Sequence, residues 1–298
     1  MKKTLVCAIL VFALLLGGCT RQQEEPGTLT LVDDFGREVT LEEPAQKVVS
    51  LVPSVTEIMF ALGAGELVVG VSAYCNYPEA ALDVPRVGDF DGPNLEAIVA
   101  LEPDLVVAAS LHKETVEALE DLGIPVLALD PMTFEEIYAN ILLLARAIGE
   151  EQAGEELVTA MKNRLAAVAE ALGELEADER PVVFYENWYP GIWTAGEDTF
   201  IDEIIAWAGG RNLAWGISRW TEIQEEEVLA RNPDIIIHGY YEPWPVESFA
   251  QREGWEAVKA VQQGRIYFID PDIISRTGPR VTDAVEKLAR LFHPDKFK

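Results

Sequence analysis

The sequence predicts an α/β fold of two similar lobes with parallel sheets, joined by one long helix. Three observations predict it. Short apolar runs of strand type alternate with amphipathic helical runs along most of the chain, which is typical of parallel sheets covered by helices on both faces. One helix-turn-strand unit occurs twice, as NLEAIVALEPDLVV (94–107) and QEEEVLARNPDIII (224–237). A single longer helical pattern, at 150–177, separates the two copies.

The N-terminal lobe is predicted to span residues 29–149. It begins with the hairpin TLTLVDDFGREVTL, which turns at Asp34, Phe35 and Gly36. Strands and helices then alternate as KVVSLVP, SVTEIMFALGAG, LVVGVS, NLEAIVAL, DLVVAA, KETVEALEDLG, PVLALD and TFEEIYANILLLARAIG. This alternation predicts a parallel sheet with helices on both faces.

The bridging helix is predicted at 150–177, and the C-terminal lobe at 178–298. The helix buries one face, because its apolar residues recur every three or four positions; they are Leu157, Met161, Leu165, Val168, Leu172 and Leu175. The second lobe continues with PVVFYE, TFIDEIIAWAGG, EEEVLARN, DIIIHGYY, RIYFID and VTDAVEKLARLF. Its first helix echoes that of the first lobe, since Glu203 aligns with Glu57. The lobes are therefore expected to share one topology.

The first residues predict the compartment. MKK is a basic start, and TLVCAILVFALLLGG is an apolar run too short for a typical membrane span. The segment LGGC is similar to the cleavage box of bacterial lipoproteins, which implies that residues 1–18 are a signal peptide and that Cys19 is acylated. Residues 19–28 would form a tether, and lipid alone would hold the protein to the membrane, at the cell surface or in the periplasm. An ordinary signal peptide with an incidental cysteine is the alternative.

Charge and cysteine content exclude several partners and bonds. The 23 Lys and Arg residues against 51 Asp and Glu residues give a formal net charge of -28, which would repel nucleic acid and anionic lipid headgroups. Nucleic acid is therefore not an expected partner.

Cys7 leaves with the signal peptide and Cys19 would carry lipid, so Cys75 is left without a disulfide partner and its role stays open.

No catalytic constellation is visible in the sequence. There is no P-loop and no nucleophile elbow, and GAGELVVG lacks the third glycine of a dinucleotide-binding fingerprint. The histidines, His112, His238 and His293, are too few and too far apart to predict a transition-metal cage. We therefore expect no enzyme, no metal site and no cofactor. A cell-surface hydrolase is the alternative from another functional class, and the role of His238, which ends a strand, stays open.

Two α/β lobes leave a cleft at the carboxyl ends of their strands, where ligands of open sheets bind. Aromatic residues stand in several loops that follow those strands. They include Tyr74 and Phe90 in the first lobe, and Trp188, Trp220 and Trp244 in the second. The tryptophans stand beside Pro, Gly or polar residues rather than at helical core spacing, which predicts an aromatic binding surface.

Four segments resemble the cobalamin, siderophore and haem group of ABC-transporter substrate-binding proteins: KVVSLVPSVTEIMFALGAGELVVGVSAYCNYP, NLEAIVALEPDLVV, GIPVLALDP and VLARNPDIII. The likeness extends over about residues 45–293. It implies two Rossmann-like lobes bridged by a single helix, the class III periplasmic-binding-protein fold. It also implies a monomer that delivers its ligand to an ABC permease dimer with ATPase subunits.

The cobalamin-binding members of this group are the most similar, which implies that the ligand is a cobalt corrinoid. Three aromatic residues and one arginine match positions of the corrinoid cleft: Tyr74, Phe90, Trp220 and Arg276. Trp188 lies beside a further aromatic position, which is Asn187 in this chain. Another family aromatic follows DLVVAA, where this chain has Ala109 and Ser110 instead.

Two other ligands are open on the same scaffold. A ferric siderophore would need several arginines to meet its negative charge, and only Arg219, Arg276 and Arg280 stand near the predicted cleft. Haem would need a tyrosine or histidine to ligate its iron.

Glu96 and Glu226 stand at the start of the two repeated helices. Carboxylates stabilise helix N-termini, so capping is the simplest interpretation. In the cobalamin-binding members of the group that the chain resembles, glutamates at these two positions dock onto arginines of the two permease subunits. The resemblance therefore implies one charged contact per lobe, although Glu225 and Glu227 flank the second site.

Overall fold

The computed structural model describes residues 28–240 and 245–297. The predicted signal peptide, Cys19, nearly all of the tether, and Trp244 lie outside the described residues. The strands of the first lobe are β1 (Leu29–Val32), β2 (Glu38–Leu41), β3 (Val48–Ser50), β4 (Val68–Val71), β5 (Leu105–Ala108) and β6 (Val126–Ala128). Its helices are α1 (Pro53–Ala61), α2 (Leu95–Ala100), α3 (Lys113–Asp121) and α4 (Phe134–Ile148).

The first lobe contains the predicted hairpin and the predicted parallel sheet. β1 and β2 pair antiparallel, and the other four strands pair in the order β4-β3-β5-β6. All four residues of β5 are buried. Leu105 and Val107 pack into the core that contains α1 and α4, whereas Val106 and Ala108 pack into the core that contains α2 and α3. Successive side chains of a strand point to opposite faces, so an unbroken apolar run indicates a sheet covered on both sides.

The second lobe repeats this arrangement. Its strands are β7 (Val182–Glu186), β8 (Trp193–Ala195), β9 (Arg211–Asn212), β10 (Trp220–Glu222), β11 (Ile235–His238) and β12 (Ile266–Phe268). Its helices are α6 (Phe200–Trp207), α7 (Glu225–Arg231), α8 (Lys259–Gln262), α9 (Pro271–Ile274) and α10 (Val281–Phe292). The parallel sheet has the order β12-β11-β7-β9, and β8 pairs with β10 as a separate antiparallel ribbon.

Both parallel sheets place their strands in the order second, first, third, fourth along the chain. The repeated unit of the sequence is α2-β5 in one lobe and α7-β11 in the other, so it supplies the third strand of each sheet. Asp104 Oδ2 accepts the backbone N–H group of Lys47, just before β3, at 2.8 Å, and Asp234 Oδ2 accepts that of Val182, in β7, at 2.9 Å. The repeated Pro-Asp turn therefore ties the third strand to the first in each lobe.

The bridging helix is α5 (Glu151–Leu172). It ends at Leu172 rather than at residue 177, because Gly173 adopts a positive φ of 66° that glycine tolerates readily. The buried face is the predicted one, with Met161 and Leu165 each 2% exposed. Arg164 joins this helix to α10, where it donates to Asp283 at 2.5 Å and to Glu286 at 2.7 Å. Within the described part of the chain, no helix combines the length and the apolar character needed to cross a membrane. The predicted fold class is confirmed.

Candidate functional site

A cavity of about 780 Å³ lies between the lobes, at the carboxyl ends of the strands. From the first lobe it is lined by loops after β3, β4, β5 and β6, and from the second by α6, β10 and the segment after α9. Its volume is in the range of small-molecule sites in proteins. The four residues that match the family's cleft, Tyr74, Phe90, Trp220 and Arg276, all line it.

Tyr74 and Phe90 form one aromatic side of the cavity. Their rings meet edge to face with centroids 6.4 Å apart. Tyr74 is 55% exposed and is therefore available to a ligand, whereas its neighbour Cys75 is buried, with its Sγ accepting from Thr56 Oγ1 at 3.1 Å. In the segment that follows β4, Cys75 thus packs into the lobe while Tyr74 faces the cavity.

His112 fixes the loop that carries Phe90. Its Nδ1 accepts the backbone N–H group of Ala109 at 3.0 Å, and its Nε2 bonds the backbone carbonyl of Phe90. Burial lowers the pKa of His112, so the ring is neutral and Nε2 carries the proton that is donated to Phe90. Gly88 closes the base of this loop with φ of 114°, where a Cβ would lie 2.6 Å from the backbone nitrogen of Asn94. The aromatic wall of the first lobe is therefore preorganised.

Trp220 forms the opposite aromatic side. It lies on β10, half-buried, with ring centroids 6.2 Å from those of both Tyr185 and Phe200. Phe200, in the first turn of α6, also lines the cavity. The sequence did not single out Phe200, although its place at a helix start in the second lobe is the signal that could have indicated it.

Arg276 lies at the cavity, but other protein groups surround its guanidinium. It donates to Glu57 Oε1 at 2.9 Å, to Asn76 Oδ1 at 2.8 Å and to the carbonyl of Tyr74 at 3.2 Å. Asp272 forms an ion pair with it at 2.7 Å. The side chain is only 7% exposed. Its positive charge is thus offset within the protein.

Several other lining residues were not predicted as site residues. Asp130, Pro131 and Met132 follow β6, and Asp91 stands next to Phe90. The rule that ligands bind beyond strand ends could have indicated the first three. Ala109 and Ser110, where the family has an aromatic residue, also line the cavity. Their small side chains leave space at that position.

Trp188 does not reach the cavity wall. It is 60% exposed in the loop between β7 and β8, where it forms a bridge with Trp193 on the antiparallel ribbon. On this ribbon Glu222 pairs with Trp193. That pair lies two positions further along the ribbon than Trp220. The sequence could not show this displacement, because it depends on the pairing of β8 with β10.

Glu96 and Glu226 lie in the first turns of α2 and α7 and are exposed. Asn94, not Glu96, makes the N-cap bond of α2, since its Oδ1 accepts the N–H group of Ala97 at 3.1 Å. Because α2 and α7 precede the third strand of each sheet, the two glutamates occupy equivalent places in the lobes. Glu227 pairs with Arg231 at 2.6 Å, so it is engaged within its own helix.

His238 is the last residue of β11 and is buried. Within residues 28–240 and 245–297, neither of its ring nitrogens has a hydrogen-bond partner. Burial, and then the positive charge of Arg252, lower its pKa to about 4. The same described residues contain no group of three or more His, Cys, Asp or Glu side chains that could hold a metal ion.

Residues 48–273 match the periplasmic binding protein family. The chain is 35% identical to the ABC transporter substrate-binding lipoprotein YvrC of Bacillus subtilis (strain 168), over 98% of this chain and 97% of that protein. It is 27% identical to a vitamin B12-binding protein of Vibrio campbellii, over 86% of this chain and 92% of the relative.

Solved structures agree with these matches. The periplasmic haem-binding protein RhuT of Roseiflexus sp. RS-1 is 30% identical, with a TM-score of 0.75 over 85% of this chain and 99% of that one. The periplasmic vitamin B12-binding protein BtuF of Vibrio cholerae is 26% identical, with a TM-score of 0.70 over 86% and 99%.

The matches cover the two lobes and the helix between them, so the predicted family is confirmed. Its members are transport components without enzymatic activity, which removes the hydrolase alternative. The chain belongs to the periplasmic binding protein family, as an extracytoplasmic substrate-binding protein of an ABC transporter that works with a permease and an ATPase.

Proposed function

We propose that this protein is a monomeric receptor that captures a corrinoid in the interlobe cavity and delivers it to its permease. The observation that carries the proposal is the chemistry of the cavity wall. Aromatic and aliphatic side chains dominate it, and Tyr74 and Trp220 stand on opposite sides. A flat macrocycle with apolar faces and neutral amide side chains suits such a wall.

Charge distinguishes the corrinoid from the other two ligands. The charged side chains of the described cavity wall are Asp91, Asp130 and Arg276. Because Glu57 and Asp272 already offset the charge of Arg276, the wall presents no available positive charge to a ligand. Ferric siderophores are often anionic and haem carries two propionates, so both would lack a counter-charge there. A neutral ligand avoids that cost.

The names of the relatives support the same choice, because a 27% identical relative is a vitamin B12-binding protein. Haem is the second candidate. A haem-binding structure is 30% identical, and the exposed side chain of Tyr74 offers a hydroxyl that could ligate iron from the cavity wall.

Titration of the purified protein with cyanocobalamin, haemin and a ferric catecholate siderophore tests the proposal. Ligand absorbance and tryptophan quenching would be followed. We expect saturable one-to-one binding of cyanocobalamin. Tyr74→Phe is the matched variant, because it keeps the ring and removes a possible iron ligand. Saturable haemin binding that Tyr74→Phe abolishes, without binding of cyanocobalamin, would contradict the corrinoid proposal.

The permease contacts are proposed at Glu96 and Glu226. One exposed carboxylate at equivalent places in two similar lobes suits a channel made of two similar subunits. Glu96→Arg with Glu226→Arg should abolish uptake while ligand affinity and thermal stability stay nearly constant. Glu151→Arg with Glu170→Arg, both exposed on α5, is the control for net charge. Uptake that survives the first pair of changes would show that the glutamates serve their helices only.

The membrane anchor is proposed at Cys19, outside the described residues. The B. subtilis relative is named a lipoprotein, and LGGC supports acylation. Cys19→Ala should release the protein from membranes without changing its affinity for ligand. Cys75→Ala is the matched control, because Cys75 is buried in the folded lobe. Sedimentation of the Cys19→Ala protein with membranes would contradict the lipoprotein assignment.

A further inference from the structure

Two glutamates that the sequence repeats reach across from one lobe to the other. Glu57 lies on α1 of the first lobe and Glu203 on α6 of the second, and each helix ends before a glycine of positive φ, Gly63 or Gly209. Each therefore occupies the same place in its own lobe. Neither side chain was assigned a role by the sequence.

Glu57 is held by two arginines of the second lobe, and we call this group the arginine clasp. Its Oε1 accepts from Arg276 at 2.9 Å and from Arg280 at 2.5 Å, and its Oε2 accepts from Arg280 at 2.9 Å. Glu57 is 3% exposed and Arg276 is 7% exposed. A buried carboxylate with well-placed partners on both oxygens is costly to unpair, so this contact holds its geometry.

The backbone comes close at the same place. A Cβ on Gly278, which lies between the two arginines, would be 3.3 Å from the carbonyl oxygen of Ser54 in α1. A further interlobe bond, from Asn76 Nδ2 to Asp272 Oδ2, measures 2.8 Å. The arginine clasp is thus a fitted contact between the lobes and not a single long-range ion pair.

Glu203 makes the reciprocal contact, which we call the amide clasp. Its Oε2 accepts the backbone N–H group of Phe134, the first residue of α4 in the first lobe, at 2.6 Å. The carboxylate therefore satisfies one of the N–H groups that every helix leaves unpaired at its start. The carboxylates of Glu57 and Glu203 therefore each accept hydrogen bonds from the opposite lobe.

Both clasps adjoin the cavity. Arg276 lines it and also holds the carbonyl of Tyr74. Met132 lines it two residues before Phe134, and Phe200 lines it one turn before Glu203. A lobe movement that opened either clasp would therefore displace cavity walls on both sides.

We propose that Glu57 and Glu203 are positioning residues that lock the two lobes at a fixed spacing on either side of the ligand cavity. The helix α5 joins the lobes covalently and is itself tied to α10 of the second lobe through Arg164. Two further contacts, one donated by each lobe, fix the lobe spacing at the cavity. Arg276 then acts on the ligand through the position of Tyr74 rather than as a counter-charge.

Lobe spacing in the ligand-free protein tests this directly, and it does not depend on the identity of the ligand. Glu57→Ala, Glu203→Ala and the double variant would be compared with wild type by small-angle scattering and amide hydrogen exchange. Glu170→Gln, an exposed change on α5, is the control. We expect a larger radius of gyration in the double variant. Exchange of the amides in both cavity segments, 74–76 and 130–134, should be about tenfold faster even in Glu57→Ala.

The response of the far segment distinguishes positioning from a local structural role. If Glu57→Ala loosened only 74–76 and left 130–134 and the scattering unchanged, the proposal would be overturned. Glu57→Gln keeps an acceptor oxygen and should restore most of the protection. A Glu57→Gln variant as open as Glu57→Ala would show that charge alone matters and would contradict the geometric lock.

The consequence for affinity rests on the proposed corrinoid function. If opening left about a tenth of the double variant competent, its apparent Kd for cyanocobalamin would rise about tenfold. Unchanged affinity in a demonstrably open double variant would overturn the positioning role. Open lobes in the variant, together with no cyanocobalamin binding by wild type, would support the lock and refute the corrinoid proposal instead.

Discussion

At the end of its third strand the first lobe carries Ala108, and the second lobe carries His238 at the equivalent place. The match follows from the repeated Pro-Asp turn, which aligns Leu105 with Ile235. In each sheet the first strand pairs with the third in the same register. Leu51 therefore lies beside Ala108 as Glu186 lies beside His238, so Leu51 and Glu186 occupy equivalent places. The same two positions are apolar in one lobe and ionisable in the other.

In the first lobe Leu51 and Ala108 are buried, and their apolar side chains need no hydrogen-bond partners. In the second lobe Glu186 is fully buried, and Arg252 donates to both of its oxygens at 2.6 and 2.7 Å. Burial raises the pKa of Glu186 against the opposing effect of Arg252, and Tyr240 also donates to it. The comparison shows that one backbone topology accepts either apolar or ionisable side chains at these two positions, provided that each buried charge has its partner close by.

The largest expected effect comes from Arg252→Met. This change leaves Glu186 buried without its counter-charge, and it removes a guanidinium that stacks on Tyr189, Phe249 and Trp255. We expect the free energy of unfolding to fall by about 3–5 kcal/mol in urea denaturation.

The control gives the second lobe the chemistry of the first. Glu186→Leu combined with Arg252→Met restores leucine at the place of Leu51, and we expect it to recover most of the lost stability. If the double variant were as unstable as Arg252→Met, packing of the arginine and not charge would explain the loss.

The next effect compares the two aromatic sides of the cavity. Trp220 is wedged against Tyr185 and Phe200, whereas Tyr74 is 55% exposed. Trp220 is therefore held in place before a ligand binds, so its contact with a ligand should cost less conformational entropy than that of Tyr74. Trp220→Ala should cost roughly 1.5–3 kcal/mol of cyanocobalamin affinity, about ten- to a hundredfold in Kd, and Tyr74→Ala less.

Trp215→Ala is the control for that comparison, because Trp215 stacks between Arg211 and Arg231 away from the cavity wall. It should leave the Kd unchanged. Equal losses from Trp220→Ala and Trp215→Ala would mean that tryptophan removal acts through the fold and not through the cavity.

The third effect is a pH dependence that His238 adds to the second lobe. The pKa of His238 is about 4 in the folded protein and near its usual 6.5 when unfolded. Between these values the unfolded chain binds a proton that the folded chain does not, so stability falls as the pH falls through that window. Each pH unit of that window corresponds to about 1.4 kcal/mol, so the loss between about pH 7 and about pH 4.5 should be on the order of 2 kcal/mol.

His238→Leu isolates this contribution. Unfolding free energies of wild type and variant would be measured at about pH 7 and about pH 4.5. The variant should lose less stability on acidification than wild type. Parallel losses in the two proteins would show that other groups cause the acid sensitivity, among them His112, whose pKa is also lowered by burial.

The smallest expected effect tests the equivalence of the lobes. Asp104→Ala removes the acceptor for the backbone before β3, and Asp234→Ala removes the acceptor for β7. Each change should cost about 1 kcal/mol of unfolding free energy, because each deletes two hydrogen bonds to a carboxylate that is not fully buried. Asp104 accepts from the backbone of Gln46 and Lys47, and Asp234 accepts from the backbone of Val182 and from Lys259 Nζ. The effects should add in the double variant. A large loss from only one of them would contradict equivalent roles in the two lobes.

Hydrophobic periodicity predicted most of the fold. Strands that are buried on both faces, such as Leu105–Ala108, are written as unbroken apolar runs. The repeated Pro-Asp turn by itself indicates a duplicated topology. The end of α5 was missed because Gly173 sits inside an apparently continuous apolar spacing.

Motif alignment brought four of the five predicted ligand-binding residues to the cavity wall. Trp188, which stands beside an aligned position, does not line that wall, because its place depends on the pairing of β8 with β10. Motif alignment also could not reveal what surrounds Arg276, since Glu57 lies 219 positions away in the sequence. The roles of all these residues in binding stay predictions.

The sequence by itself determined most of the helices and strands, the shared topology of the lobes and the family, because each of these is written in local periodicity and in short motifs. Only the tertiary structure decided that Arg276 is offset by Glu57 and Asp272, and that Glu57 and Glu203 each bond the opposite lobe. Such contacts join residues far apart along the chain. Their existence depends on how two packed lobes face each other, and no local pattern encodes that orientation.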